Sequence, residues 1–240
     1  INLLCGIGMF LVGMSLMSDY TTLTFGDKLK GILSRLAGNK ISGVFTGLAV
    51  TGVIQSSCAA TVTAVSFVDA GLLSLGGAAG IVMGANIGTT VTSLIIAFNF
   101  SSVAPLAIFI GAFMKLLCKN EKLKNAGIIL CGFGILFVGL NLMTDGVKPL
   151  IGTDAFLAFV NFLSNPLFGI AFGLILTVIV QSSSATVGML QTVASVPGSG
   201  ITFAMAYPVI MGINLGTCVT TAMVCSIGSS KDAKRTGVVH

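Results

Sequence analysis

Gln55-Ser56-Ser57 and Gln181-Ser182-Ser183-Ser184 are the residues best equipped for chemistry in this chain. Each block sets an amide and a run of hydroxyls inside apolar sequence: TGVIQSSCAATV from Thr51 to Val62, and LTVIVQSSSATV from Leu176 to Val187. A second polar cluster follows each block. The first is Gly84-Ala85-Asn86-Ile87-Gly88-Thr89-Thr90, and the second is Gly212-Ile213-Asn214-Leu215-Gly216-Thr217. Amides and hydroxyls can donate hydrogen bonds to an anion's oxygens and turn oxygen lone pairs to a cation at once. A serine nucleophile would need a base within reach. The single histidine is His240, and no Lys or Asp recurs beside the Gln-Ser blocks. These residues therefore read as a binding set, and the chain is not read as an enzyme.

One Gln-Ser-Ser block alone could be a packing device, since Ser and Thr bond back to their own helix or bridge to another. Its repetition, each time with a Gly-x-Asn-x-Gly-Thr partner, favours a site. Ile41 to Ile54 and Ala59 to Val68 are each too short to cross ~30 Å of hydrocarbon, which takes ~20 residues. The chain must therefore turn back at, or break through, the Gln-Ser-Ser block. The Gly-x-Asn-x-Gly-Thr cluster reads as an unwound joint, because Gly and Asn are poor helix interior. Which block makes a hairpin and which interrupts a crossing stays open at this point. A broken helix bares N–H groups on one half and C=O groups on the other. The N–H ends suit an anion; the carbonyl ends with Gln, Asn, Ser and Thr oxygens suit a small hard cation such as Na⁺.

The elements that carry these residues must lie in a membrane. The 240 residues are 55% hydrophobic and only 8% charged, with a mean hydropathy of +1.05. A soluble domain carries about a quarter charged residues. Between Ile41 and Met114 the only charged side chain is Asp69, and between Ala155 and Ser230 there is none. The alternation of an outer-membrane barrel is absent. The fold class is an all-α integral membrane protein. The net charge of +5 sits in short basic clusters at helix ends, the ordinary membrane pattern, so no nucleic-acid partner is expected. The six cysteines form no ligand-spaced set and read as small apolar filler. Leu3 to Met17 lacks a preceding basic region and a cleavage site, so it is not read as a signal peptide.

The chain is written twice. LCGIGMFLVGMSLMSD at Leu4 to Asp19 matches LCGFGILFVGLNLMTD at Leu130 to Asp145, and Gln55 matches Gln181, at one offset of 126 (130 − 4; 181 − 55). Met83 to Thr92 matches Met211 to Thr220 at 128 (211 − 83). Lys and Arg prefer the cytoplasmic side. Lys28, Lys30, Arg35 and Lys40 follow the first copy of the opening helix, whereas Lys148 and two aspartates follow the second. With Lys115 to Lys124 and Lys231 to Arg235 also inside, the copies have opposite orientation. Inverted-topology repeats with re-entrant hairpins and discontinuous transmembrane helices are a secondary-transporter plan.

The expected organisation is a first repeat at 1–100, a connecting transmembrane helix and basic cytoplasmic loop at 101–126, a second, inverted repeat at 127–230, and the start of a trimmed C-terminal segment at 231–240. Val103 to Cys118 reads as an extra crossing. Lys28 to Lys40 reads as an interfacial amphipathic helix. Asp69 reads as part of a turn, and Pro105, Pro166 and Pro208 as residues near helix starts or joints. A second copy of the chain, completing the lipid-facing packing, is an assembly left open.

QSSCAATV and QSSSATV, with GANIGTT and GINLGT, resemble the type II sodium/phosphate cotransporter family and its bacterial relatives over nearly the whole chain. The resemblance implies sodium-coupled symport of inorganic phosphate by alternating access across the bacterial cytoplasmic (inner) membrane. Phosphate and Na⁺ would bind at mid-membrane between the two Gln-Ser-Ser motifs. It implies phosphate contacts from Ser56, Ser57, Ser182, Ser183 and Ser184. It implies Na⁺ contacts from Gln55, Gln181, Asn86, Thr89, Asn214 and Thr217, supported by Gly84, Gly88, Gly212, Gly216 and Cys58. The chain departs from the family pattern at Cys58, in place of a third serine, and at Cys218, in place of a second threonine. Bacterial members often continue into a PhoU-like helical domain, which makes such a domain or protein an expected partner. The other readings weighed are a membrane scaffold or phosphate sensor without transport, and a carrier of another small anion.

Overall fold

The computed structural model describes residues 1–36, 39–98, 100–226 and 235–236. The expected segment 231–240 lies almost wholly outside them. Among the described residues ten α-helices follow in order: α1 (Asn2–Leu36), α2 (Lys40–Ile54), α3 (Ser57–Asp69), α4 (Leu75–Ala97), α5 (Ala104–Leu117), α6 (Glu121–Val147), α7 (Asp154–Ser164), α8 (Pro166–Val180), α9 (Ser183–Ala194) and α10 (Phe203–Ser226). Among the described residues there is no strand. Helices α1, α4, α6 and α10 are long and apolar enough to cross a membrane. The protein is an all-α, multi-pass membrane protein.

The helices form two compact units. One comprises 1–20 and 95–217, the other 21–94 and 218–240. In the first unit, the opening part of α1 lies against α6. A Cβ added at Gly6 would meet Gly139 O at 2.7 Å, and one at Gly13 would meet Gly132 O at 2.7 Å. Positions rising along one helix meet positions falling along the other, so the pair is antiparallel. Under the offset of 126, Gly6 corresponds to Gly132 and Gly13 to Gly139. The two contacts therefore exchange into each other, as residue pairs do across a two-fold axis. Glycines set seven apart put one small residue every two turns on a single face, which lets the backbones close. Phe10, Leu136, Phe137 and Met143 fill the remaining space.

Helix α5 packs back along α6, with Gly111 on Gly127 and Gly134 on Ala104 and Ile108. At 14 residues it is shorter than the ~20 a crossing needs. The segment expected as an extra crossing, Val103 to Cys118, holds this short apolar helix, which leans on α6. Pro105 enters its first turn, and Pro166 opens α8, where a missing N–H costs nothing. Helices α7 and α8 meet at 105°. Pro208 instead lies inside α10, beside Gly169.

In the second unit, α2 and α4 run side by side in the same direction. Gly43 meets Gly77 and Gly80, Gly47 meets Ile81, and Gly88 meets Leu48 and Thr51. Helix α4 therefore starts beside the start of α2. Helix α3 ends only five residues before α4, at a turn tightened by Gly71 (φ +70°) and by Leu72 N–H donating to Phe67 O. To reach that point α3 must fold back along α2. Val50, Ile54, Ala60, Ala64, Val68, Ile81 and Ala85 form the shared core. Helices α8, α9 and α10 repeat the plan in the first unit: Gly173 meets Val209, Gly212 meets Ile170, and Gly216 meets Leu174 and Thr177. The Gln-Ser blocks are the hairpin tips.

Two expectations change here. The Gly-x-Asn-x-Gly-Thr clusters are continuous helix through 84–90 and 212–217. Their glycines serve close approach. A Cβ at Gly84 would lie 2.0 Å from Val44 O, and one at Gly212 2.0 Å from Ile170 O. The segment expected as a separate interfacial helix from Lys28 is continuous with α1 as far as Leu36.

Candidate functional site

Each hairpin tip is a two-residue break with one backbone geometry. Gln55 ends α2 in the left-handed region (φ 61°, ψ 23°), and Ser56 is extended (φ −141°, ψ 102°). Gln181 ends α8 at φ 56°, ψ 21°, and Ser182 is at φ −145°, ψ 109°. Among the described residues, these glutamines are the two non-glycine residues with positive φ. Such a backbone costs roughly 1–3 kcal/mol and persists where its surroundings hold it. Gln55 N–H donates to Thr51 O at 2.7 Å, and Gln181 N–H to Thr177 O at 2.7 Å. The Gln55 amide also donates from Nε2 to Gly52 O at 2.5 Å, and its Oε1 accepts from the Thr92 hydroxyl of α4.

The serine after each glutamine caps the next helix. Ser56 Oγ accepts from Ala59 N–H at 3.2 Å, and Ser182 Oγ accepts from Ala185 N–H at 3.3 Å. The first-turn N–H groups of a helix have no partner in its own ladder. The cap takes one, and the N–H groups of the first turn of α3 and α9 carry the positive end of each dipole. Ser57 is buried at the start of α3, and Ser184 at the start of α9. Ser184 Oγ lies 3.3 Å from Ser182 Oγ. Each tip thus sets helix N–H groups and hydroxyls beside the carbonyl end of the preceding helix.

Thr51 and Thr177 occupy equivalent positions, one turn before each glutamine. Both are 1% exposed, and their hydroxyls have no hydrogen-bond partner. A buried hydroxyl in that state costs ~1–3 kcal/mol. Most other described threonines of these helices bond back to their own chain, as Thr46, Thr63 and Thr186 do. Sequence reasoning passed over Thr51, Thr92 and Thr177. The signal for the pair was their shared spacing from the glutamines; the signal for Thr92 was only its place in the second matching block.

Of the residues expected to hold Na⁺, Thr89 and Thr217 donate their hydroxyl protons to Ala85 O (3.0 Å) and Ile213 O (3.1 Å), which leaves their lone pairs outward. Asn86 and Asn214 are exposed on unbroken helices. The second unit brings Gln55, Ser56, Ser57 and Cys58 together at one tip and sets Thr92 on it. The first unit brings Gln181, Ser182, Ser183 and Ser184 together at the other.

A Na⁺/Pi-cotransporter family model matches this chain twice, over residues 9–145 and 138–236. The Escherichia coli (strain K12) protein named "Putative inorganic phosphate export protein YjbB" is 29% identical over 218 residues, 90% of this chain and 40% of that protein. The uncharacterized protein YqeW of Bacillus subtilis (strain 168) is 29% identical over 235 residues, 96% of this chain and 74% of that protein. Human sodium-dependent phosphate transport protein 2B is 34% identical over 126 residues, 50% of this chain and 18% of that protein. The chain spans about 40% of the length of the YjbB proteins it matches. No solved structure matches it.

Proposed function

Because this chain belongs to the Na⁺/Pi-cotransporter family, we propose that it carries inorganic phosphate across the bacterial cytoplasmic membrane, coupled to Na⁺, by alternating access. The observation that carries this reading is the duplicated tip: a left-handed Gln and a capping Ser between two short helices, at Gln55-Ser56 and again at Gln181-Ser182. A 15-residue helix rises only ~22 Å, so each hairpin enters the bilayer and returns. The antiparallel pairing of the two opening copies in α1 and α6 supports inverted repeats.

In this reading the N–H ends of α3 and α9, with Ser56, Ser57, Ser182, Ser183 and Ser184, receive phosphate oxygens. Gln55, Gln181, Thr89 and Thr217 offer oxygens to Na⁺, and Thr51 and Thr177 add one open oxygen each. Asn86 and Asn214, exposed on α4 and α10, offer further amide oxygens to Na⁺. No Lys or Arg occurs in either hairpin beyond Lys40. A desolvated anion is costly without compensation, so the co-transported Na⁺ supplies the positive charge, and coupling follows from the chemistry. The family is one of transporters, and the tips contain no base that would serve hydrolysis.

The test is uptake of labelled phosphate into proteoliposomes for the parent, Ser57→Ala and Ser183→Ala. Loss of transport with normal membrane insertion supports the site; intact transport in both variants removes it. The name of YjbB favours a second reading of direction, as export. Comparing right-side-out with inside-out vesicles under an imposed Na⁺ gradient separates export from import.

A further inference from the structure

The two repeats pack differently beside their hairpins. In the second unit the tail of α1 closes the core, with Leu29 and Leu33 buried among Val50, Ala64 and Ile81. Under the offsets of 126 and 128, the equivalent residues of the first unit are Ala155, Phe159, Leu176, Leu190 and Val209. There Ala155 is exposed, and the other four line an apolar cavity of about 300 Å³. We propose that this cavity holds one acyl chain of a membrane phospholipid.

The difference lies in the chain connection. Helix α1 runs unbroken into its tail as far as Leu36. Its second copy, α6, ends at Val147, and the chain restarts as α7 at Asp154 after a turn with Gly152 at φ +85°. Helix α7, the counterpart of the tail, meets α8 at 105°. Its Phe159 stands edge-on to Phe172 of α8 at 5.4 Å, and both rings are walls of the cavity. The space that two leucines fill in one repeat is therefore left over in the other.

The chemistry of the walls selects the occupant. No charged side chain lines the cavity, and its one hydroxyl, on Thr186, donates to Ser182 O at 2.8 Å. A buried water needs two to four polar partners and finds none here. The volume is about twice that of the ~150 Å³ apolar cavity that stays dry and takes up benzene. Left empty, the walls forfeit their dispersion contacts. Around a membrane protein the medium that supplies apolar bodies is acyl chain. Leu3, Phe156, Leu176 and Val193 are only half-buried, so the walls are not sealed against it. Beside the rim residue Leu150, Lys148 and Asp145 set one charge of each sign 2.8 Å apart. That pair complements the phosphate and amine of a zwitterionic head group, which a free fatty acid lacks.

The chain contains no Trp, so Phe156→Trp places a single reporter on the cavity wall. Phe109→Trp, on the exposed face of α5, reports ordinary lipid contact. Each chain, in detergent micelles, is titrated with phosphatidylethanolamine whose brominated acyl chains quench Trp on contact. The expected result is saturable quenching at position 156 and quenching in proportion to bromolipid at position 109. Val193→Phe and Ile7→Phe fill the cavity with the residues that the opposite repeat carries, Phe67 and Phe133. Each should raise the half-saturation at position 156 about tenfold, the effect of ~1.4 kcal/mol in binding. Proportional quenching at both positions, or a half-saturation unchanged by both filling variants, overturns the proposal. Equal half-saturation for a brominated free fatty acid overturns the assignment to phospholipid. A second measurement needs no reporter. Added phosphatidylethanolamine should raise the unfolding midpoint of the delipidated parent, as a ligand of the folded state does, and raise that of Val193→Phe and Ile7→Phe less. An equal rise in all three overturns the site. Neither readout uses phosphate or Na⁺, so failure of the transport reading would leave both intact.

Discussion

At the residue scale, the tips concentrate unfavourable local choices that their surroundings compensate. Gln55 and Gln181 share a left-handed backbone in which each N–H donates to the threonine carbonyl one turn back, and the Gln55 side chain is tied further, to Gly52 O and to Thr92. Thr92→Val removes the proton donated to Oε1 and frees the amide. Phosphate transport should fall severalfold, and the unfolding midpoint in detergent should drop by the equivalent of ~1 kcal/mol, the net worth of one hydrogen bond. Thr51→Val and Thr177→Val have the opposite sign for folding. Each removes a buried hydroxyl that the fold leaves unpartnered, so stability should hold or rise by up to about 1 kcal/mol. If those oxygens serve Na⁺, the Na⁺ concentration for half-maximal uptake rises in the same variants. Equal Na⁺ dependence in parent and variants would remove them from the site.

At the element scale, the decisive feature is how closely α2 and α4, and α8 and α10, approach. Gly84→Ala and Gly212→Ala would drive a methyl into the backbone carbonyls of Val44 and Ile170. Carbonyls cannot rotate away as side chains can, so each variant should lose roughly 1–3 kcal/mol, the usual cost of overpacking. Gly8, with nothing within 4 Å of an added Cβ, is the control. Gly8→Ala should leave the unfolding midpoint unchanged or raise it by up to ~1 kcal/mol, the helix-propensity gain of Ala over Gly. Equal behaviour of all three variants would show that these glycines do not serve packing.

At the scale of the whole molecule, the pairing of α1 with α6 carries the argument for inverted repeats. Thr22 and Lys148 are equivalent positions at the offset of 126 (148 − 22). Single cysteines placed there, in a chain with its own cysteines replaced, should be labelled by an impermeant thiol reagent from opposite membrane faces. Labelling from one face would mean parallel copies. A charge-neutral substrate site also makes a molecular prediction. With choline in place of Na⁺, phosphate affinity should fall by more than about tenfold, because isolated dipoles do not repay the desolvation of an anion.

The sequence by itself determined the environment, the duplication and a break at each Gln-Ser block. Composition excludes a water-facing surface, and an offset shared by separate blocks needs no coordinates to see. A Gln-Ser-Ser run between two apolar stretches too short to cross allows the chain only to break there. Tertiary structure alone decided that the break is a hairpin, because the direction of α3 follows from where α4 begins against α2. It also decided that Gly84 and Gly212 lie in intact helix. Local propensity marks glycine as a breaker, but it cannot register a neighbouring carbonyl that only a residue without Cβ can admit.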